Sequence, residues 1–426
     1  MRVSRRLMLC CLLAGVVALL IQYAIIPFYA PPGFGLFANG GDFWVYRLGA
    51  EQVLKGDSLY SLIPPGVSFT YPPMAAILFV PLTFGAPATT SLIWFLLSVA
   101  ALGSVVWRCF RVCGYSRDWK LAVASFGITL AFFDLEAIRG TIWQGQINIL
   151  IMAIIVWDLT RPSGARLRGW SVGIAAGIKL TALLFLPYLV VTRQWRAAAT
   201  AAISAILTVG IGAALLPADS RDYWLHDVGM VSRIGDVTHP ANQSVNGVLA
   251  NLSAPRAVPL ALWLVCATVV VALALAAAAR YRNTSRETFS IVLVGLAACA
   301  ATPLAWSHHW VWFAPVIVLL FIRAHTSPGP ARWRWGIATV GLAVAASMWL
   351  TVLIYEIVKS IGQVGAAGAA PAMDAAIEQI PSWARALTCG VPVVVLIFIC
   401  SAALLIARKT EHARQQPADS AAPPER

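Results

Sequence analysis

Charge is what this sequence has least of. Asp, Glu, Lys and Arg together make up 12% of 426 residues, where a soluble globular domain carries roughly 25%. The acidic residues are scarcer still, 18 against 31 basic ones. With 59% hydrophobic residues, such a chain cannot cover a folded surface with polar groups, so an ordinary soluble enzyme is excluded and lipid is the expected solvent. Walker loop, Rossmann fingerprint, HExxH pair and nucleophile elbow are all missing, which removes the usual signs of a nucleotide-fed or hydrolytic soluble domain. Eight cysteines are present, but Cys10, Cys11, Cys109, Cys113, Cys266, Cys299, Cys389 and Cys400 fall in or beside apolar runs, where a thiol acts as a small hydrophobe. None lies in a polar outer loop, so no disulfide framework is implied. Cys109 and Cys113 have helical spacing without a His or a second Cys pair nearby, so no metal site is expected.

What is abundant is long apolar runs, and the mean hydropathy is +0.77. Many runs approach the roughly 20 residues needed to cross the hydrocarbon core. Basic residues collect in short clusters between them: Arg2, Arg5 and Arg6; Arg108, Arg111, Arg117 and Lys120; Arg161, Arg166 and Arg168; Arg280, Arg282 and Arg286; Arg323, Arg332 and Arg334; Arg408, Lys409 and Arg414. That is the pattern of cytoplasmic loops under the positive-inside rule, so the net charge of +13 does not signal a nucleic-acid partner. The basic start followed by a long apolar run reads as a retained first membrane helix with its N-terminus inside, since a cleavable signal peptide has a shorter apolar region and a small-residue cleavage site.

The expected architecture is therefore all-α, polytopic, with about 10–13 transmembrane or re-entrant helices. A span near 7–28 exits to a Gly- and Pro-rich outer loop that ends at Tyr71-Pro-Pro73. The run 74–86 is too short to cross. Spans follow near 88–110, 120–138 and 146–160. The stretch 169–191 has basic residues on both flanks, so a single crossing would place one cluster outside; a re-entrant hairpin turning at Gly177-Ile-Lys179 resolves this. Further spans fall near 197–216, 258–279, 288–304, 309–323, 335–357 and 387–407, with outer segments at 217–257, 304–309 and 358–385. Residues 1–407 form one membrane domain, and 408–426 form a polar cytoplasmic tail expected to be disordered. No internal repeat of the transporter kind is visible.

On this topology the polar residues that packing explains least gather on the outer side. Asp42 follows Asn39-Gly-Gly and precedes Phe43, Trp44 and Tyr46, rings expected at the membrane interface. It is either the N-cap of a helix over 43–55 or a general base for a sugar hydroxyl. His308 and His309, being adjacent, point about 100° apart on a helix and make a poor metal pair; they either cap the outer boundary or meet a phosphate. Arg139 beside Glu136 is a structural ion pair or a phosphate anchor. Lys179 at the hairpin tip is costly at that depth unless it faces a polar cavity or an anionic ligand. Asn242-Gln-Ser244 is formally a glycosylation sequon, and its loop suits substrate hydrogen bonding as readily.

Seven segments then occur in an order that resembles a known family: Asp42-Phe-Trp-Val-Tyr46, Gly56-Asp-Ser-Leu-Tyr60, Phe69-Thr-Tyr-Pro-Pro73, Gly145-Gln-Ile-Asn148, Gly177-Ile-Lys-Leu-Thr181, Asn242-Gln-Ser244 and Pro303-Leu-Ala-Trp-Ser-His-His-Trp-Val-Trp312. The chain is similar to the GT87 family of the GT-C superfamily, the actinobacterial polyprenyl-phosphate-mannose-dependent α-1,2-mannosyltransferases. The resemblance implies a GT-C fold, a membrane-bound lipid-linked sugar donor, a glycolipid or lipoglycan acceptor and a plasma-membrane enzyme facing outward, with no cofactor, metal or nucleic acid and as a monomer. It implies Asp42 as the base of an inverting transfer, with His308, His309, Arg139 and Lys179 as candidates for the donor phosphate. Tyr46, Tyr71, Gln146, Asn148, Asn242, Gln243 and Trp306, all within matching segments, become the substrate-binding candidates. The family pattern carries proline where this chain has Ala182. Arabinofuranosyltransferases of the family lack the Trp-Ser-His-His-Trp run, which favours mannose. A transporter or flippase, the reading from another class, calls for inverted repeats and mid-membrane charges, and Lys179 alone comes close.

Overall fold

In a computed structural model of the chain, residues 1–29, 36–37, 39–61, 68–254, 256–282, 287–347 and 380–415 are described. Among them no strand forms, only two isolated bridges, Leu135 with Ser347 and Asn242 with Trp306. Helices dominate because lipid offers the backbone no partners, and a helix satisfies its own groups. Six described helices are long and apolar enough to cross a membrane, or seven if one sharply bent pair counts as a span. Shorter apolar helices and broken ones make up the remainder.

Helix α1 (Arg5–Ile25) starts at Ser4, whose hydroxyl accepts from the Leu7 amide at 3.1 Å. It is followed by α2 (Gly41–Lys55) and the short α3 (Pro73–Phe79), which continues as a 3-10 turn to Thr83. The apolar run after Tyr71-Pro-Pro73 is thus too short to cross, as expected. Arg47 ties α2 to this piece by donating to the Leu82 carbonyl at 2.5 Å and to Glu51 at 3.1 Å. Phe43 and Tyr46 were expected at the membrane interface, but both are buried; Trp44 is the exposed ring of the three. The helical period explains this, because 43, 46, 47 and 50 share one face and 44 lies off it.

Next come α4 (Pro87–Val112), α5 (Trp119–Ala131), α6 (Glu136–Gln144) and α7 (Asn148–Leu159). Helix α5 packs most extensively on α1. The axis bends by 118° between α6 and α7, and the span expected near 120–138 breaks after Ala131 into a turn that leads into α6.

The stretch 169–191 divides into α8 (Trp170–Ile178), an extended Lys179 (φ −138°, ψ 118°), a 3-10 turn over Leu180–Leu184, and α9 (Phe185–Val191). Helix α10 (Trp195–Leu215) then runs parallel to α8, because Gly169, Gly173 and Gly177 meet Ala197, Ser204 and Thr208 in turn. At Gly173 an added Cβ would lie 2.3 Å from the Ala205 amide nitrogen, so the close approach of these helices depends on that face being bare. Since α10 begins back at the level where α8 began, residues 180–194 must return the chain. Arg168 donates to Gln194 and joins the two feet. Lys179 therefore sits at the tip of a hairpin.

The rest comprises α11 (Pro217–Asp222), a π-helical turn over Tyr223–Asp227, α12 (Val245–Ser253), α13 (Leu260–Tyr281), α14 (Glu287–Ala301), a 3-10 segment over Ser307–Trp312, α15 (Phe313–Thr326), α16 (Pro330–Ala345) and α17 (Ser382–Gln415). The segment 217–257, expected as an outer connection, thus carries helices of its own. The later part of the span expected near 335–357, and most of the outer stretch 358–385, lie outside the described residues. Helix α17 continues to Gln415, so the first residues of the stretch expected as a disordered tail are helical, and the remainder is outside the described residues. All eight cysteines are free.

Candidate active site

A cavity of about 1080 Å³ opens between the start of α2, residues 68–72, α6, the hairpin tip, the segment 223–241 and residues 298–309. The break between α6 and α7 shapes its floor. Gly145 takes φ +68° and packs so tightly on Phe43 that a Cβ would lie 2.7 Å from the Phe43 Cβ, a conformation and a fit that favour glycine. The same break anchors α2. Gly40 donates its amide to the Trp143 carbonyl at 2.9 Å, and Asn39 donates to Gln144 at 2.9 Å. Asp42 is thereby fixed at the cavity wall, half-buried in the first turn of α2.

The capping alternative for Asp42 fails. Gly40 occupies the N-cap of α2, and no side chain caps that helix. Asp42 still lies where the helix dipole favours a negative charge. Its Oδ1 accepts one long hydrogen bond, from the Tyr71 hydroxyl at 3.4 Å, and the carboxylate lines the cavity. Burial pushes its carboxyl above the ordinary carboxylate value, opposed by the Lys179 ammonium and by hydrogen bonds from Gln146 and Tyr71.

A continuous polar chain leads from Asp42 to the hairpin tip. Gln146 Nε2 donates to the Tyr71 hydroxyl at 3.1 Å, and Gln146 Oε1 accepts from the Lys179 ammonium at 2.9 Å. Lys179 Nζ also donates to Asn148 Oδ1 at 2.8 Å and lies 3.3 Å from His309 Nε2. Its fourth neighbour is the Tyr71 ring, 5.5 Å from the ammonium to the ring centre. Among the described residues Lys179 forms no ion pair. The positive charge at the tip is held by neutral groups and is free to balance an anion.

His308 and His309 both line the cavity, their rings perpendicular and 4.9 Å apart. His308 Nε2 is buried without a partner, so a polar atom at the wall has no internal use. The His308 backbone is held firmly, because its carbonyl accepts from both Thr141 Oγ1 at 3.0 Å and Asn148 Nδ2 at 2.8 Å. Trp306 lines the wall as well, edge-on to His239 at 5.2 Å.

Asp42, Tyr71, Gln146, Lys179, Trp306, His308 and His309 are thus brought to one cavity. The other candidates are not. Tyr46 is fully buried behind the wall, donating to Gln146 Oε1 at 2.7 Å, and it orients Gln146 instead of meeting substrate. Asn148 faces away from the main cavity, and both ends of its amide are engaged by Lys179 and His308. Asn242 is 0% exposed. It donates to the Val237 carbonyl and accepts from the Ala305 amide, both at 2.9 Å, so it serves neither as a glycan acceptor nor as a substrate contact but pins its loop to the segment before Trp306. Gln243 is buried and donates to Glu136 at 3.2 Å. Arg139 does not line the cavity, although its Nε is buried without a partner.

Sequence reasoning missed Arg233 and Asp227, an ion pair on the cavity wall beside Tyr60, with Arg233 donating to the Tyr60 carbonyl at 3.0 Å. The available signal was the run of charged residues in the outer segment, Asp219, Arg221, Asp222, Asp227, Arg233 and Asp236, in a chain otherwise poor in charge. It also missed Gly169-x-x-x-Gly173-x-x-x-Gly177, the small-residue spacing that lets membrane helices approach closely.

The description of the family whose model matches residues 69–303, more than half of the chain, is glycosyltransferase family 87. At 30% identity, over 79% of this chain and 78% of the relative, the chain is similar to the polyprenol-phosphate-mannose-dependent alpha-(1-2)-phosphatidylinositol pentamannoside mannosyltransferase of Mycobacterium tuberculosis (strain CDC 1551 / Oshkosh). At 31% identity, over 74% of this chain and 76% of the relative, it is similar to the polyprenol-phosphate-mannose-dependent alpha-(1-2)-phosphatidylinositol mannoside mannosyltransferase of Mycolicibacterium smegmatis (strain ATCC 700084 / mc(2)155). A Mycobacterium tuberculosis (strain ATCC 25618 / H37Rv) protein of that same description matches at 30%, over 75% of this chain and 77% of the relative. No solved structure matches the chain.

Proposed function

The chain belongs to glycosyltransferase family 87 and is a glycosyltransferase, and on that premise we propose that it moves mannose from a polyprenyl-phosphate-mannose to a phosphatidylinositol-mannoside-type glycolipid, forming an α-1,2 linkage. The observation that carries this reading is the pairing of a carboxylate and an ammonium on one cavity wall, Asp42 and Lys179, linked through Tyr71 and Gln146. One supplies a base for an acceptor hydroxyl, the other a counter-charge for a departing lipid phosphate.

In the proposed step the acceptor hydroxyl oxygen attacks the anomeric carbon while Asp42 takes its proton. The bond from that carbon to the phosphate oxygen breaks, and the phosphate leaves with the electron pair. Its developing charge is met by Lys179, assisted by His308 and His309, an electrostatic stabilisation aimed at the transition state. A carboxyl raised by burial is a stronger base than an exposed one, which suits proton abstraction near neutral pH. Asp227, the other carboxylate on the wall, is occupied by Arg233, which favours a single displacement with inversion over a two-step route through a covalent sugar.

The placement of the basic residues supports an extracytoplasmic site. Helix α7 runs from Asn148, beside Lys179, to Leu159, and there Arg108, Arg161 and Arg168 gather with Met1 and Gly114 near by. Under the positive-inside rule that end faces the cytoplasm and the cavity faces out. The test is transfer by the purified full-length chain from polyprenyl-phosphate mannose to a phosphatidylinositol mannoside, followed by mass and linkage analysis. One added hexose in α-1,2 linkage is expected. Transfer of arabinose from its polyprenyl-phosphate donor, with none of mannose, overturns the reading.

A further inference from the structure

An apolar groove of about 600 Å³, walled by α14, α15, α16 and α17, shares no lining residue with the catalytic cavity. Helix α15 begins just after His308 and His309 and ends at the groove's far end, at Arg323 and Thr326. Between Val316 and Thr326 the groove follows about 15 Å of this helix, half of the roughly 30 Å hydrocarbon core and so the depth of one leaflet. Phe398 and Ile406 of the membrane-crossing α17 line it while 72% and 39% exposed, so it opens on the outside of the bundle. Among the described residues Arg323 is the one charged side chain on its lining. More basic residues adjoin lining residues in sequence: Arg280 and Arg282 flank Tyr281, Arg332 and Arg334 precede Trp335, and Arg408 and Lys409 follow Ile406. Other arginines at this end serve the fold, Arg108 donating to Thr160, Arg161 to Asp158 and Arg168 to Glu287. The Arg323 side chain forms no hydrogen bond or ion pair among the described residues, and its guanidinium lies 5.9 Å from the centre of the Trp335 ring.

We propose that this groove binds an acidic phospholipid of the leaflet at that end, the cytoplasmic leaflet under the positive-inside rule. One acyl chain lies between α15, α16 and α17, and the phosphate meets Arg323. The depth suits one leaflet, the lining suits a hydrocarbon chain, and the guanidinium offers unused donors in a fork that matches phosphate. Trp335 and Tyr281 line the same end, where amphipathic rings settle at the headgroup level. The surrounding basic residues select an acidic headgroup over a zwitterionic one, since each cation near the surface adds attraction for anionic lipid. A second copy of this chain is the poorer occupant. Docked symmetrically, it would set its own basic end against this one.

The charge and the apolar bed are tested separately. Full-length protein in neutral detergent is titrated with phosphatidylglycerol or with phosphatidylcholine of the same acyl chains, and bound lipid is counted by native mass spectrometry. One phosphatidylglycerol is expected to bind in preference to phosphatidylcholine. Arg323→Gln is expected to cut that preference about five-fold, the share of one basic residue at an anionic surface, and Arg323→Lys to keep most of it. Gly341 of α16 lines the groove with no atom within 4 Å of an added Cβ. Gly341→Leu therefore fills the bed, in a helix where leucine is the better former. It is expected to weaken both lipids about ten-fold, the equivalent of roughly two methylenes. Arg196, exposed at the same end on α10 and not on the groove lining, is the control, and Arg196→Gln is expected to change neither value. An undiminished preference in Arg323→Gln, unchanged affinity in Gly341→Leu, an equal effect from Arg196→Gln, or a dimer in place of a lipid adduct overturns the site.

Discussion

Asp158 and Asp42 lie near opposite ends of α7 and are satisfied in opposite ways. Asp158, 3% exposed, has its Oδ2 filled by the amides of Gly169 and Ser171 and the Ser171 hydroxyl, at 2.8, 3.2 and 2.7 Å, and its Oδ1 filled by Arg161. Every acceptor position serves the fold: the carboxylate caps α8 and fixes one foot of the hairpin. Asp42 is half-buried, has the Tyr71 hydroxyl at 3.4 Å with Gln146 beside it, and opens on a cavity. A carboxylate that holds structure is satisfied from within. One that does chemistry keeps capacity for a ligand, and that difference is visible only when partners are counted atom by atom.

This contrast can be broken experimentally, starting at its strongest point. Asp42→Asn keeps the shape and removes the base; transfer is expected to fall about 10³-fold, within the range for lost general-base catalysis, with the thermal unfolding temperature unchanged when both are measured on one preparation. Lys179→Met comes next, at about 10²-fold, the scale of one lost transition-state charge contact. It carries a signed consequence for pH. The ammonium lowers the Asp42 pKa against the rise caused by burial, so its removal lets that pKa climb further. The base is then ionised only at higher pH, and the acid limb of the rate profile is expected to move upward. A limb that stays in place or moves down shows that another group titrates. Asp158→Ala sharpens the comparison from the other side: stability is expected to drop by about 3 kcal/mol, as for a broken buried ion pair, seen as a lower denaturant midpoint. The rate per folded molecule is expected to stay within a few-fold.

Much of this was legible in the sequence. The hairpin at 169–191 follows from basic residues on both flanks, because charge asymmetry dictates which crossings are allowed. The family resemblance singled out Asp42, Tyr71, Gln146, Lys179, Trp306, His308 and His309, which do meet. What sequence could not resolve was depth within a shared motif. Tyr46 and Asn148 stand in the same segments as their neighbours Asp42 and Gln146, yet the helical turn of α2 and the bend before α7 rotate them behind the wall. Asn242 reads as a surface sequon because a buried asparagine whose amide is fully used looks the same in one dimension as an exposed one. Arg233 and Asp227 escaped because their pairing depends on a π-helical turn that no local pattern announced.

The central claim is that Asp42 deprotonates the acceptor for direct displacement of a lipid phosphate. The anomeric configuration of the newly formed bond, read by nuclear magnetic resonance on product made from a β-linked polyprenyl-phosphate mannose, tests it most directly. The account predicts an α-linkage, the inverted product. A β-linked product would mean that the sugar passes through a second displacement, and would contradict the role assigned to Asp42.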